Sequence, residues 1–119
     1  MVTLKIGDVE VQTEWNDSET ARRILAALPI ESSGNYWGGE FYFEIPVQAP
    51  LEKGAGEVVE PGTVAYWPEG HCLCVFWGPT PVSEASECRA ASKVNRVGSV
   101  LNPDVLPKLK GRRVRVESK

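Results

Sequence analysis

Histidine occurs once in this 119-residue sequence and cysteine three times. A lone imidazole, His71, beside Cys72-Leu73-Cys74 and a distant Cys88 lacks the second close pair of a structural zinc site, and Cys72 to Cys74 reads as strand rather than knuckle. An odd number of cysteines cannot close a complete intrachain disulfide framework, which fits a reducing compartment. No apolar run approaches the length needed to span a bilayer, and no basic stretch leads into an apolar one behind Met1; a cytoplasmic location without a membrane partner is expected. Lys and Arg are scattered and the net charge is −3, so the electrostatic footprint of a nucleic-acid binder is missing. The one basic cluster, Arg112, Arg113 and Arg115, is interleaved with Val114 and Val116 and reads as the solvated face of a strand. Neither Gly38-Gly39 nor Gly54-Ala55-Gly56 has the lysine or the strand-to-helix setting of a phosphate loop. They read as a bulge and a flexible loop, and no cofactor or metal is expected.

What is present is short strands in quantity. The length suits one domain over residues 1–119. Val2 to Trp15 alternates around Gly7-Asp8 as a hairpin. Asp17 or Ser18 then caps the one clear helix, whose apolar stripe is Ala21, Ile24, Leu25 and Leu28, with Pro29 as its stop. From Tyr36 to Val47 the period is two: Phe41, Phe43, Ile45 and Val47 fall on one face, Glu40, Tyr42 and Glu44 on the other. Residues 49–62 form a Pro- and Gly-rich loop with a short strand at Val58-Val59, the best candidate for a mobile flap. Thr63 to Trp67 and Cys72 to Trp77 make a second hairpin about Pro68-Glu69-Gly70. A loop runs to about Ala90, followed by a strand over Ser92 to Leu101 bulged near Gly98, a short helix from Asn102-Pro103, and a last strand at Arg112 to Glu117. About eight strands in so short a chain predict a mostly β fold closed into a barrel, with one clear and one short helix.

Three stretches resemble a known family: Tyr36 to Phe43 (YWGGEFYF), Gly62 to Gly70 (GTVAYWPEG) and Cys74 to Pro81 (CVFWGPTP). With Ala91 to Gly98 and the order of elements, they are similar over nearly the whole chain to small prokaryotic cyclophilin-like proteins of mostly unassigned function. The resemblance implies a closed eight-stranded barrel. It also names an activity, peptidyl-prolyl cis-trans isomerisation, which in that fold uses an arginine on the strand after the first helix. Tyr36 to Val47 contains no Arg and no His, so an isomerase built here would need an arginine from another element, Arg96 being the candidate.

Nine of the ten aromatic residues lie between Tyr36 and Trp77. Phe41 and Phe43 are assigned to the interior. Trp37, Tyr66, Trp67, Phe76 and Trp77 are too many for what remains of a small barrel, and an outer apolar surface marks a groove, an interface or a helix seat. The leading expectation is a binding domain for an apolar small molecule or a proline-containing peptide. Tyr42, Tyr66, Trp67, Phe76 and Trp77 would form the walls, and Glu40 and Asn95 would orient the ligand. The alternatives are the isomerase, with Glu40 and Arg96 as its candidate catalytic residues, and a homodimer whose seam is the aromatic cluster. Glu40 and Glu44, about 13 Å apart along one strand face, are too distant for a paired acid and base.

Overall fold

The computed structural model describes residues 1–118, so the last residue of the expected domain lies outside it. The first hairpin is β1 (Val2–Ile6) and β2 (Val9–Trp15), in register from Val2 opposite Thr13 to Ile6 opposite Val9. Ser18 caps α1 (Glu19–Ala26) by accepting from the Ala21 amide, and the helix ends ahead of Pro29. Then follow β3 (Ile30–Tyr36), β4 (Glu40–Glu44), β5 (Gly56–Val59), β6 (Thr63–Trp67), β7 (Cys72–Phe76), β8 (Cys88–Val100), a 3₁₀ helix (Pro103–Lys108) and β9 (Arg113–Ser118). All strand pairings are antiparallel.

Eight strands pair in the order β2-β1-β9-β3-β4-β7-β6-β8, and β8 returns to β2, so the ladder closes into a ring. The ninth, β5, pairs only with β8 and stands outside that circuit. The ring thus has the eight strands that the resemblance implies, while the described residues hold nine in all, one more than the eight read from the sequence pattern. The added ring strand is β3, whose sequence IESSGNY is too polar to announce itself. Its Gly34 faces the interior, where a Cβ would lie 2.4 Å from Cζ of Phe41, so only a residue without a side chain leaves room for that ring.

The period-two pattern sorts the side chains into two clusters. Leu4, Ile6, Val11, Phe41, Phe43, Val64, Tyr66, Leu73, Val75 and Val116 share the main core, joined by Ala21 and Ile24 of α1 and Leu106 of the 3₁₀ helix. Their alternates on β6 and β7, namely Ala65, Cys72, Cys74 and Phe76, face outward. They are nonetheless buried, because β8 is 13 residues long and only its C-terminal part belongs to the ring. Its N-terminal part, from Cys88 to Val94, pairs with β5 and contributes Cys88, Ala90 and Val94 to the outer cluster. The bulge expected near Gly98 is present: Val64 faces Gly98 and Ala65 faces Arg96, leaving Val97 as the extra residue.

The 49–62 loop, expected to be a flap, is tethered along its length. Asn95 donates to Pro50, Thr20 to the Glu52 carboxylate, and Arg96 to Gly54 and Val58; just ahead of the loop, Tyr66 donates to the Val47 carbonyl (2.6 Å) and Arg23 to Gln48. Among the described residues, no helix is long and apolar enough to cross a membrane.

Candidate ligand-binding cavity

A cavity of about 230 Å³ opens between the outer face of the ring and the N-terminal part of β8. Glu40 and Tyr42 of β4, Trp37 before it and Trp67 at the end of β6 form one side; Ala90, Ala91 and Val94 of β8 form the other. The space has a backbone origin. Gly56 pairs with Val94 and Val58 with Arg89, so a single residue of β5 opposes Ala90, Ala91, Ser92 and Lys93. That stretch of β8 bows off its partner, and two of its residues are alanines, too small to fill the gap.

Trp37 and Glu40 are set by a tight turn. The Trp37 amide donates to the Glu40 carbonyl (2.8 Å), and Gly38 holds a φ of +62°. Gly39 lies against the segment that leaves β7: a Cβ there would come within 2.5 Å of Gly78, and the amides of Trp77 and Gly78 both donate to the Gly39 carbonyl. The glycine pair is therefore a turn and a close backbone contact, not the bulge expected.

Trp67 is fixed by its polar edge. Its indole Nε1 donates to Ser92 Oγ, which in turn donates to Glu69 Oε2 (2.7 Å). The ring lies over Gly70, where a Cβ would meet it at 2.3 Å. Ser92→Ala is expected to remove this anchor, costing about 1 kcal/mol of stability. Of the four indole Nε1–H resonances in a ¹⁵N-correlated NMR spectrum, that of Trp67 alone should shift strongly; four unmoved resonances would show the anchor to be absent in solution.

Glu40 is the single carboxylate in the lining and is 5% exposed. Its Oε1 is the one buried side-chain oxygen or nitrogen without a hydrogen-bond partner among the described residues. Burial raises its pKa to about 7, only partly opposed by the Cys74 thiol beside it. The thiols respond in kind: burial and then the carboxylates of Glu44 and Glu40 push Cys72 up to about 11, and burial and Glu40 raise Cys74 well above its ordinary value. Both stay protonated near neutrality, and neither is an activated nucleophile. No Lys, Arg or His lines the cavity.

The structure brings Glu40, Tyr42 and Trp67 together and leaves the other expected site residues elsewhere. Tyr66 belongs to the main core, because it alternates with Ala65 and Trp67. Phe76 is fully buried in the outer cluster, beneath β8 and outside the lining. Trp77 packs on the main core, edge-on to Tyr36 with ring centroids 6.4 Å apart. Asn95 is 2% exposed and its amide is spent on Thr20, Pro50 and Glu52, so it is not a rim residue. Arg96 is exposed and occupied with the Gly54 and Val58 carbonyls. Trp37 is among the surplus aromatics of the sequence but not among the expected wall residues, and no motif in the sequence points to Ala90, Ala91 or Val94. Small apolar residues carry no chemical signature, and the only hint was the break in spacing between Val94, which faces the outer cluster, and Val97, which faces the core.

The sequence matches the cyclophilin-like family over residues 1–117. The fold is similar to the solution structure of the hypothetical protein AF2241 from Archaeoglobus fulgidus, with a TM-score of 0.83 and 36% identity, over 99% of this chain and 93% of that one. It is also similar to McbB, solved in complex with tryptophan, with a TM-score of 0.76 and 16% identity, over 100% of this chain and 45% of that one. No match is found among the curated proteins.

Proposed function

The chain belongs to the cyclophilin-like family, and from that premise we propose that it is a barrel whose outer cavity binds one small, apolar, ring-containing molecule. The observation that carries this is the half-open cavity itself, walled by two indoles and a phenol and holding one buried carboxyl group. Its size favours a small molecule over a peptide. At about 230 Å³ it is below the roughly 300–1,000 Å³ of drug-sized sites, enough for one bicyclic ring system and too little for a peptide backbone. The tryptophan complex of McbB is compatible with a ligand of that class, although a likeness at 16% identity extends to the fold alone.

Prolyl isomerisation has less support. It needs a donor to the twisting amide, and Arg96 points its guanidinium at the β5 segment while no arginine lines the cavity. A homodimer seam also loses its material. Among the described residues the large exposed hydrophobics are Met1, Leu51, Val58, Val82 and Leu101, none of them aromatic.

Titration with indole, followed by ¹⁵N-correlated NMR, tests the reading. Shifts are expected at the Trp37 and Trp67 indoles and at the amides of Ala90 and Ala91. Ala90→Leu, which places a larger side chain into the cavity, should weaken indole binding by roughly tenfold or more while the protein stays folded, since the added carbons occupy the space in which the ring would bury its apolar surface. Undiminished affinity in that variant would place the ligand elsewhere.

A further inference from the structure

Resting on the reading of this cavity as a binding site, we propose that its ligand is an amine: a small aromatic molecule bearing a protonated amino group, anchored on Oε1 of Glu40. The argument starts from what the cavity lacks. Glu40, which lines it, carries the one buried side-chain polar atom left without a partner among the described residues; in the ionised carboxylate that oxygen is an acceptor, so the group missing from the site is a donor. A buried carboxylate left alone is costly, and a cation placed against it supplies both the hydrogen bond and the opposite charge. The walls suit the same ligand. Trp37, Tyr42 and Trp67 present aromatic surface, which stacks on a ring and attracts a nearby cation.

The lining also excludes. With no Lys, Arg or His in it, nothing offsets the charge of a ligand carboxylate, which would stand near that of Glu40. An aromatic amine should therefore bind better than the corresponding zwitterionic amino acid, and far better than the corresponding acid.

Charge on Glu40 makes the binding depend on pH. The titratable groups beside it are the Cys72 and Cys74 thiols of β7, raised above neutrality, with Tyr42 and Glu44 farther along β4 and Cys88 of β8 in the same cluster. None is a cation. Glu40 in the free protein is half protonated at about pH 7, so an ammonium ligand must displace that proton at lower pH. Affinity should fall about tenfold from pH 8 to pH 6.

Isothermal titration of the full chain with tryptamine, indole, tryptophan and indole-3-acetate at both pH values provides the test. At pH 8 tryptamine should bind at least tenfold more tightly than indole, and indole-3-acetate should not bind. Glu40→Gln should bring tryptamine down to the level of indole and remove the pH dependence. Equal binding of tryptamine and indole by the wild-type protein would overturn the amine while leaving the cavity reading in place. Binding of none of the four would overturn both. Should Glu40→Gln fail to fold, the wild-type order of ligands and its change with pH still decide.

Discussion

Replacing Asn95 by alanine is expected to lower the stability of the protein by about 3 kcal/mol, with a fall in Tm of roughly 10 °C. Asn95 sits where β8 crosses from the outer layer into the ring, and it uses three of its hydrogen-bonding positions there. Nδ2 donates to Thr20 Oγ1 (3.0 Å) and to the Pro50 carbonyl (2.9 Å), and Oδ1 accepts from the Glu52 amide (2.9 Å). Glu52 closes the loop by accepting from both the amide and the hydroxyl of Thr20, in the first turn of α1. One side chain thus ties the helix, the 49–62 loop and β8 together. Alanine would strand the Glu52 amide and the Pro50 carbonyl in a buried site, at about 1–3 kcal/mol for each group that finds no water. Urea denaturation followed by circular dichroism would measure the loss. A ligand-orienting role predicts the reverse pattern, weaker binding with little change in stability; a stability change below about 1 kcal/mol would sink the clamp.

Asn95 also marks how far the sequence alone carries. Period-two alternation sorted Glu40 and Tyr42 from Phe41 and Phe43, and the structure keeps that division. Between Cys72 and Trp77 the pattern was silent, since both faces are apolar, and Tyr66 and Phe76 were grouped with Trp67 although Tyr66 faces the core and Phe76 lies beneath β8. The missing knowledge was long-range. Nothing local says that β8 would run on past the ring and cover the outer face of β6 and β7, turning an exposed surface into a second core. The same holds for β3, whose polar residues form a strand because β4 and β9 pair with it on either side. Asn95, two residues ahead of the bulged Val97, reads from sequence as an amide free to orient a ligand; only the fold shows Thr20 and Pro50 around it.

Stability of the unliganded protein should fall by about 3 kcal/mol between pH 4.5 and pH 8 on account of Glu40 alone. The carboxyl pKa is raised in the folded state, from 4.5 to about 7, so the folded protein holds this proton more tightly than the unfolded chain does. The favourable contribution is complete below pH 4.5 and is lost as the pH rises through 7, where the native state must either charge a buried group or keep a proton that solvent would take. Other groups titrate in the same range, so the quantity to measure is a difference. Glu40→Gln cannot ionise, and the stability of that variant minus that of the wild type should increase by about 3 kcal/mol from pH 4.5 to pH 8, with its midpoint between the two pKa values. Chemical denaturation of both proteins across that range gives the curve. A flat difference would mean that Glu40 titrates normally, with water at Oε1, and would remove the physical ground for an amine in the cavity. A rising difference that tryptamine reverses at pH 8 would connect the two roles of the residue: the charge that weakens the empty fold is the charge that holds the ligand.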